Sequence, residues 1–510
     1  MNLIDKKNIK VLFISIAIVA ITGMSFSCSQ SISEDNNNEK YSGKHAKYVF
    51  YFIGDGMGLT QINSAENYMA ALQGEIGVKR LSISKLATQG YVTTYAQNRY
   101  ITGSAAAGTA LATGHKTSIS TISMDGDHQN KLKTVAEMAK EKGMKVGIIT
   151  TVDIDHATPA CFYAHQPSRG MFFDISLDLI NSNFDFFGGG DFKESSEIRD
   201  GKTINLVEFA QESGYKYIKT KKEFNKLNTK SGKVIAIGPI MAMGNTLRYS
   251  IDQTEEDISL ADFTTKAIEL LDNEKGFFIM AEGGKIDWAC HANDAATTIH
   301  EVLDLDNAVK VALKFYEKHP KETLIVVVSD HETGGMTLGF AGMGYESSLQ
   351  NLKYQKVSFE EFSNIINNYK KNKTKPSFEE ILKLIENNFG IGDKEKGLEL
   401  TEFEKKQIFA AYVESFSNKN KKVHKKNKMS KKQKNKKRNS QTYLLYGGYE
   451  PITLAATRIL DNKVGLAWTT YSHTGMPVPV HAQGVGSQIF KGYYDNTEVP
   501  KKIMTVLGVE

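Results

Sequence analysis

The chain has few of the residues that build unusual scaffolds. Its 510 residues include only 3 Cys, 9 Pro and 2 Trp. Three cysteines exclude a disulfide-dense fold, and no CxxC pair or Cys/His zinc-finger spacing is present. So little proline excludes collagen-like and proline-rich architectures. No internal repeat is visible, which argues against a solenoid or propeller. The formal charge of +5 is also misleading, because 12 Lys/Arg and no acid fall between residues 419 and 438. Outside that run 51 basic residues face 58 acidic ones, a net of −7, and setting aside residues 1–27 as well leaves −9. An acidic body gives no general nucleic-acid-binding face, so no nucleic-acid partner is expected. With 41% hydrophobic and 24% charged residues the composition is that of a globular protein, not a disordered one. The length admits several domains or one large α/β domain with an insertion.

There is one long apolar run, residues 11–26 (VLFISIAIVAITGMSF), behind a basic start carrying Lys6, Lys7 and Lys10. It is short for a membrane span and has the layout of a signal peptide over 1–27. Two endings compete. Ser25-Phe26-Ser27 offers small residues for signal cleavage, and Cys28 offers the lipidated cysteine of a bacterial lipoprotein. Residues 28–45 then read as a flexible tether. The expected location is outside the cytoplasm, either periplasmic or membrane-anchored as a lipoprotein.

Four buried-strand runs end in polar or acidic residues. Tyr48–Ile53 leads to Asp55, Val146–Thr150 to Asp153, Asp155, His156 and Thr158, Phe277–Ala281 to Glu282, and Leu324–Val328 to Asp330 and His331. Continuous apolar strands imply burial on both faces, hence a mostly parallel sheet between helices. Helical patterns at 134–142, 261–272 and 301–319 complete a βα alternation, and ligands bind at the carboxyl ends of such strands. A further strand is expected at 464–470, before His473. Residues 345–440 are rich in Lys, Asn and Glu, with helix-like stretches at 358–370, 377–389 and 402–416. They read as an insertion holding a Lys-rich loop, 419–438, which is either a solvated loop or a contact for anionic surfaces.

Asp55, Glu282, Asp287 and Asp330 converge at one sheet edge in this reading. Clustered carboxylates repel one another unless cations neutralise them, although a salt-bridge network would also do so. His291 four residues after Asp287, and His331 beside Asp330, suit zinc. Ser104 opens an Ala-rich helix after Thr102-Gly103. It serves there either as an ordinary N-cap or as a nucleophile whose charge the helix start favours.

Ile53-Gly54-Asp55-Gly56-Met57-Gly58, the Ser104 helix start, His156-Ala157-Thr158-Pro159, Glu282 to His291, Ser329-Asp330-His331 and His473-Thr474-Gly475 occur in this order. The ordered set resembles the alkaline phosphatase family from about residue 46 to 500, apart from the 345–440 insertion. The resemblance implies a three-layer α/β sandwich over 46–510. It implies hydrolysis of phosphate monoesters through a phosphoserine on Ser104, with Arg169 gripping phosphate oxygens. It also implies one zinc ion on Asp287, His291 and His473, a second on Asp55, Asp330 and His331, and magnesium on Asp55, Thr158 and Glu282. A homodimer follows from the same resemblance. Three positions depart from many members. Gly103 stands where Asp is common and orients the arginine, His156 stands near the magnesium where others have Asp, and Trp288 stands near the phosphate where others have Lys. The first departure suggests a less firmly held Arg169. Cys161 and Cys290 read as packing residues. A sulfatase or phosphodiesterase of the same superfamily is the alternative enzyme, and a polyanion-binding surface protein the non-enzymatic one.

Overall fold

The computed structural model describes residues 43–417 and 440–509. The readings of 1–27 as a leader, of Cys28, of the tether through residue 42 and of the Lys-rich loop 419–438 lie outside them. Ten strands form one sheet. Their spatial order is Gly492–Asp495, Thr88–Thr93, Val478–Gly484, Thr323–Ser329, Tyr48–Gly54, Phe277–Gly283, Lys145–Asp153, Phe186–Gly190, Lys233–Ile237 and Tyr215–Ile218. Val478–Gly484 pairs antiparallel with both neighbours, and the other pairings are parallel.

The central strand shows why the runs are apolar throughout. Tyr48, Phe50 and Phe52 join a core on one face, where Phe50 meets Phe277 and Phe315 edge-on. Tyr51 points the other way, packs on Phe162 and donates its hydroxyl to Leu111 O. Alternate residues thus serve opposite layers, and neither face tolerates polar side chains. Helices Leu59–Ala71, Leu260–Leu271 and Ala295–Lys318 pack together on the first face. Helices Ser104–Thr113, Val135–Glu141 and Glu498–Leu507 form the second layer. The ends of the described body meet, with Ala46 N donating to Val506 O at 2.9 Å.

Helices Phe359–Lys371, Phe378–Phe389 and Glu402–Ser415 fall where the helix-like stretches place them. Ser358, Ser377 and Thr401 cap their first turns. Ile366, Ile381, Ile385, Phe389 and Ile408 enter the same core as the sheet. One expectation fails. Residues 464–470 do not form a strand leading to His473. A helix runs from Pro451 to Val464 and ends at Gly465, whose φ is +94°. Only Leu466–Ala467 is extended, and it pairs with Thr337–Leu338 outside the main sheet. The apolar run misleads because its first residue closes a buried helix and its next ones start a separate short ladder.

Candidate active site

Register brings the strand ends together. Gly54 stands opposite both Ser329 and Gly283, and Thr150 opposite Glu282. Asp55, Glu282, Asp330 and His331 therefore emerge side by side, and all four are fully buried. The helix Lys285–His291 follows the Glu282 strand and carries Asp287, Trp288 and His291. Gly56 makes the turn at a φ of +71°. A Cβ there would lie 2.9 Å from Asp287 Cα, so this close approach requires glycine. Gly56 N and His331 N both donate to Asp330 Oδ1, at 3.1 and 2.8 Å.

Among the described residues three groups gather ligand atoms closely enough to hold a cation: Asp287 with His331 and His473, Asp55 with Asp330 and His331, and Asp55 with His156 and Glu282. His291 belongs beside the first. Its Nε2 lies 3.3 Å from Asp287 Oδ2 and 3.1 Å from His473 Nε2. His331 Nε2 lies 3.4 Å from Asp55 Oδ1 and 3.3 Å from Asp330 Oδ2. Thr158 Oγ1 donates to Asp55 Oδ2 at 3.2 Å. His473 arrives from a two-residue ladder, His473–Thr474 against Glu332–Thr333.

The imidazoles are oriented from behind. His291 Nδ1 donates to Tyr471 O at 2.7 Å and His473 Nδ1 to Thr102 O at 2.8 Å. His331 Nδ1 lies 3.2 Å from Thr333 Oγ1, which donates onward to Asp287 Oδ1 at 2.6 Å. Each ring thereby turns an Nε2 lone pair toward the carboxylates, as metal-binding histidines require.

Ser104 is the first residue of its helix and Gly103 is the cap. Ser104 Oγ lies 3.4 Å from His331 Nε2. Arg169 Nη2 donates to His156 Nε2 at 2.8 Å. The arginine thus has a holder despite Gly103, one that arrives from a different segment. A guanidinium only donates, so His156 accepts at Nε2 and carries its proton on Nδ1. Burial, then Arg169, lowers His156 to about 4 and keeps it neutral.

The pocket gathers buried carboxylates whose charges oppose one another. Burial, then the neighbouring carboxylates, raises Asp55 well above the usual range. Burial and then Asp287 raise Asp330, and burial raises Glu282. Asp287 is also buried, yet His291, His473 and His331 hold it well below that range. Asp55 Oδ1, Glu282 Oε1 and Asp330 Oδ2 have no hydrogen-bond partner. Unpaired buried carboxylate oxygens are costly unless a cation meets them. The donor set, carboxylates with correctly turned imidazoles, fits metal ions on chemical grounds.

A cavity of about 290 Å³ opens onto Ser104, His156, Arg169, Asp287, Trp288, His291 and His473. Three residues left out of the sequence-based set also line it, Asp153, Phe172 and Lys193. Asp153 carried a signal, since it ends a buried strand. Lys193 carried little, because it follows the Phe186–Gly190 strand only after Asp191 and Phe192. Cys161 and Cys290 are buried free thiols outside these groups.

A family model described as Alkaline phosphatase matches residues 46–509. Alkaline phosphatase 3 of Bacillus subtilis (strain 168) is 32% identical over 504 residues, spanning 96% of this chain and 96% of the relative. Alkaline phosphatase of Escherichia coli (strain K12) is 33% identical over 342 residues, covering 58% of this chain and 71% of the relative. Among solved structures, a cold-active alkaline phosphatase from the psychrophile Shewanella sp. superposes with a TM-score of 0.72 at 28% identity, over 90% of this chain and 99% of that one. The Thermus thermophilus alkaline phosphatase gives 0.74 at 25% identity, over 92% of each.

Proposed function

The chain belongs to the alkaline phosphatase family and is a phosphoric monoester hydrolase. From that premise we propose that it works through a covalent phosphoserine on Ser104. The observation that carries this reading is the placing of Ser104 Oγ in a cavity shared with Arg169 and Asp287 and beside His331, whose Nε2 faces Asp55 and Asp330, two buried carboxylates that each leave one oxygen without a hydrogen-bond partner. Asp287, His291 and His473 would hold one zinc ion, and Asp55, Asp330 and His331 a second. Asp55, Thr158 and Glu282 would hold magnesium. His156 lies in that third group, but while its Nε2 accepts from Arg169 its Nδ1 is protonated. The donors left are oxygens, which suit magnesium. When bound, such ions neutralise a phosphate, lower the pKa of a hydroxyl and clamp opposite oxygens of an in-line displacement.

The chain's own residues do the rest. The start of the Ser104–Thr113 helix turns Ser104 Oγ into the cavity, where the helix dipole favours negative charge. Ser104 Oγ attacks phosphorus, the bond to the leaving oxygen breaks, and the alcohol departs with a proton. Arg169 uses its remaining N–H groups to hold equatorial oxygens as charge builds on them. Water then attacks the phosphoserine, phosphate leaves, and Ser104 Oγ is restored.

The test compares rates on a phosphate monoester, a phosphodiester and an aryl sulfate, with metal analysis of the same preparation. The monoester should react fastest, and acid quenching with labelled substrate should leave phosphate on Ser104. A faster diester or sulfate, or a label elsewhere, would overturn the reading.

We propose export on the sequence of residues 1–27, as a periplasmic protein or as a lipoprotein anchored through Cys28. Among the described residues no helix is long and apolar enough to cross a membrane. A homodimer is proposed on the family resemblance, and residues 345–440 are read as an insertion.

A further inference from the structure

Arg169 is not the only cation facing the cavity. Lys193 lines it together with Ser104 and Arg169. Its main chain is fixed, because Lys193 N donates to Asp155 Oδ1 and Oδ2 at 3.2 and 2.9 Å. Asp155 is itself buried and accepts from Ser176 Oγ at 2.9 Å. The side chain then runs along an aromatic wall. Its Nζ lies 6.0 Å from the centre of the Phe172 ring. A Cβ on Gly244 would lie 2.8 Å from Lys193 Nζ and 3.4 Å from the Trp288 ring, so the ammonium and the indole share that corner.

The ammonium is under-used there. It has three N–H donors. One goes to a carbonyl, Gly244 O at 3.0 Å, and among the described residues no carboxylate lies within ion-pair distance of Nζ. Asp153, the other carboxylate lining this side, leaves both its oxygens without a partner. Arg169 is meanwhile over-committed, with one arm of its fork engaged by His156. A phosphate monoester arrives with up to two negative charges and three free oxygens, more than the rest of one fork can satisfy.

We propose that Lys193 is a phosphate-binding residue of this pocket, its ammonium receiving an oxygen of the bound monoester and of the released phosphate that Arg169 does not reach. The inference rests on the phosphatase reading above. Lys193 reaches the pocket from the end of the Phe186–Gly190 strand, and the Trp288 ring supports its corner without supplying charge. The role is in binding and orientation. No proton is taken from the ammonium, and no bond is made to it.

The test uses the full-length, metal-loaded enzyme and inorganic phosphate as the probe. Lys193→Met keeps the apolar stem and removes the charge. It should raise the phosphate inhibition constant and the KM for a monoester roughly tenfold or more, the scale of a charge-assisted hydrogen bond. Lys193→Arg should restore most of that loss. The weakening of phosphate inhibition by added salt should be shallower in Lys193→Met than in the parent. If Lys193→Met is unstable, Lys193→Gln is read in its place, since an amide keeps a donor for Gly244 O. Unchanged phosphate inhibition in a variant with parental Tm and metal content overturns the assignment. Absence of phosphate inhibition in the parent enzyme would instead count against the phosphatase reading itself.

Discussion

Two buried carboxylates, Asp55 and Asp294, lie in one molecule with opposite surroundings. Both are fully buried. Asp294 caps the Ala295–Lys318 helix and accepts from Thr297 N at 3.0 Å and Thr297 Oγ1 at 2.7 Å. It also accepts from Gln355 Nε2 at 2.9 Å on each oxygen and from Phe359 N at 2.9 Å. Its partners come from its own helix and from the segment that begins the 359–371 helix. Asp55 has a hydrogen bond from Thr158 to one oxygen and none to the other. The first carboxylate is completed by protein and fastens two regions together. The second is left incomplete, which is what a site for an outside cation requires. Burial alone does not separate these two charges, whereas the partners of their oxygens do.

The comparison breaks most visibly at Ser104. Ser104→Ala should abolish the phosphoenzyme and cost roughly a thousandfold or more in turnover while bound metal stays, as read by acid-quench labelling and metal analysis. Loss of metal in that variant would mean that the serine belongs to the cation shell. Asp55→Asn should weaken metal binding by about 100-fold or more, and chelation of the parent should remove activity and lower Tm together. A chelated protein with unchanged Tm would show that the cluster is satisfied without cations. Asp294→Asn should cost about 1–3 kcal/mol of stability in denaturant titrations, equally with and without metal, and leave metal content at the parental level. Gly103→Asp should tighten phosphate inhibition a few-fold with little change in Tm. Gly103 is extended, at φ −137°, and its added Cβ would come no closer than 3.8 Å to His473. Weaker inhibition in that variant would show that His156 already orients Arg169 as well as a carboxylate would. Cys290→Ala should cost about 1 kcal/mol of packing and keep both metal and activity, unlike His473→Ala.

Much of this was legible in the sequence, because buried parallel strands are written as unbroken apolar runs and the residues that follow them share one edge. Asp55, Glu282, Asp330 and His331 come from such runs. The helix-like stretches at 358–370, 377–389 and 402–416 correspond to the helices at 359–371, 378–389 and 402–415. His473 was found in the sequence, but the element before it was misread. An apolar run that ends a buried helix looks the same as one that starts a strand. The contact of Arg169 with His156 and the place of Lys193 in the lining of the cavity had no local signature. They are made between segments whose separation in the chain carries no period, and only the folded backbone brings them into range.

The meeting of Ala46 with Val506 has a practical consequence. The chain enters the central strand at Tyr48, and the reactive groups begin at the other end of it, after Gly54. A seven-residue strand spans about 20 Å. A carrier, affinity handle or solid support joined ahead of residue 43 or after residue 509 therefore attaches to the body near the opposite end of the central strand from the reactive groups. Ala46 and Val506 are neighbours, so the two ends of the described body are interchangeable points of attachment.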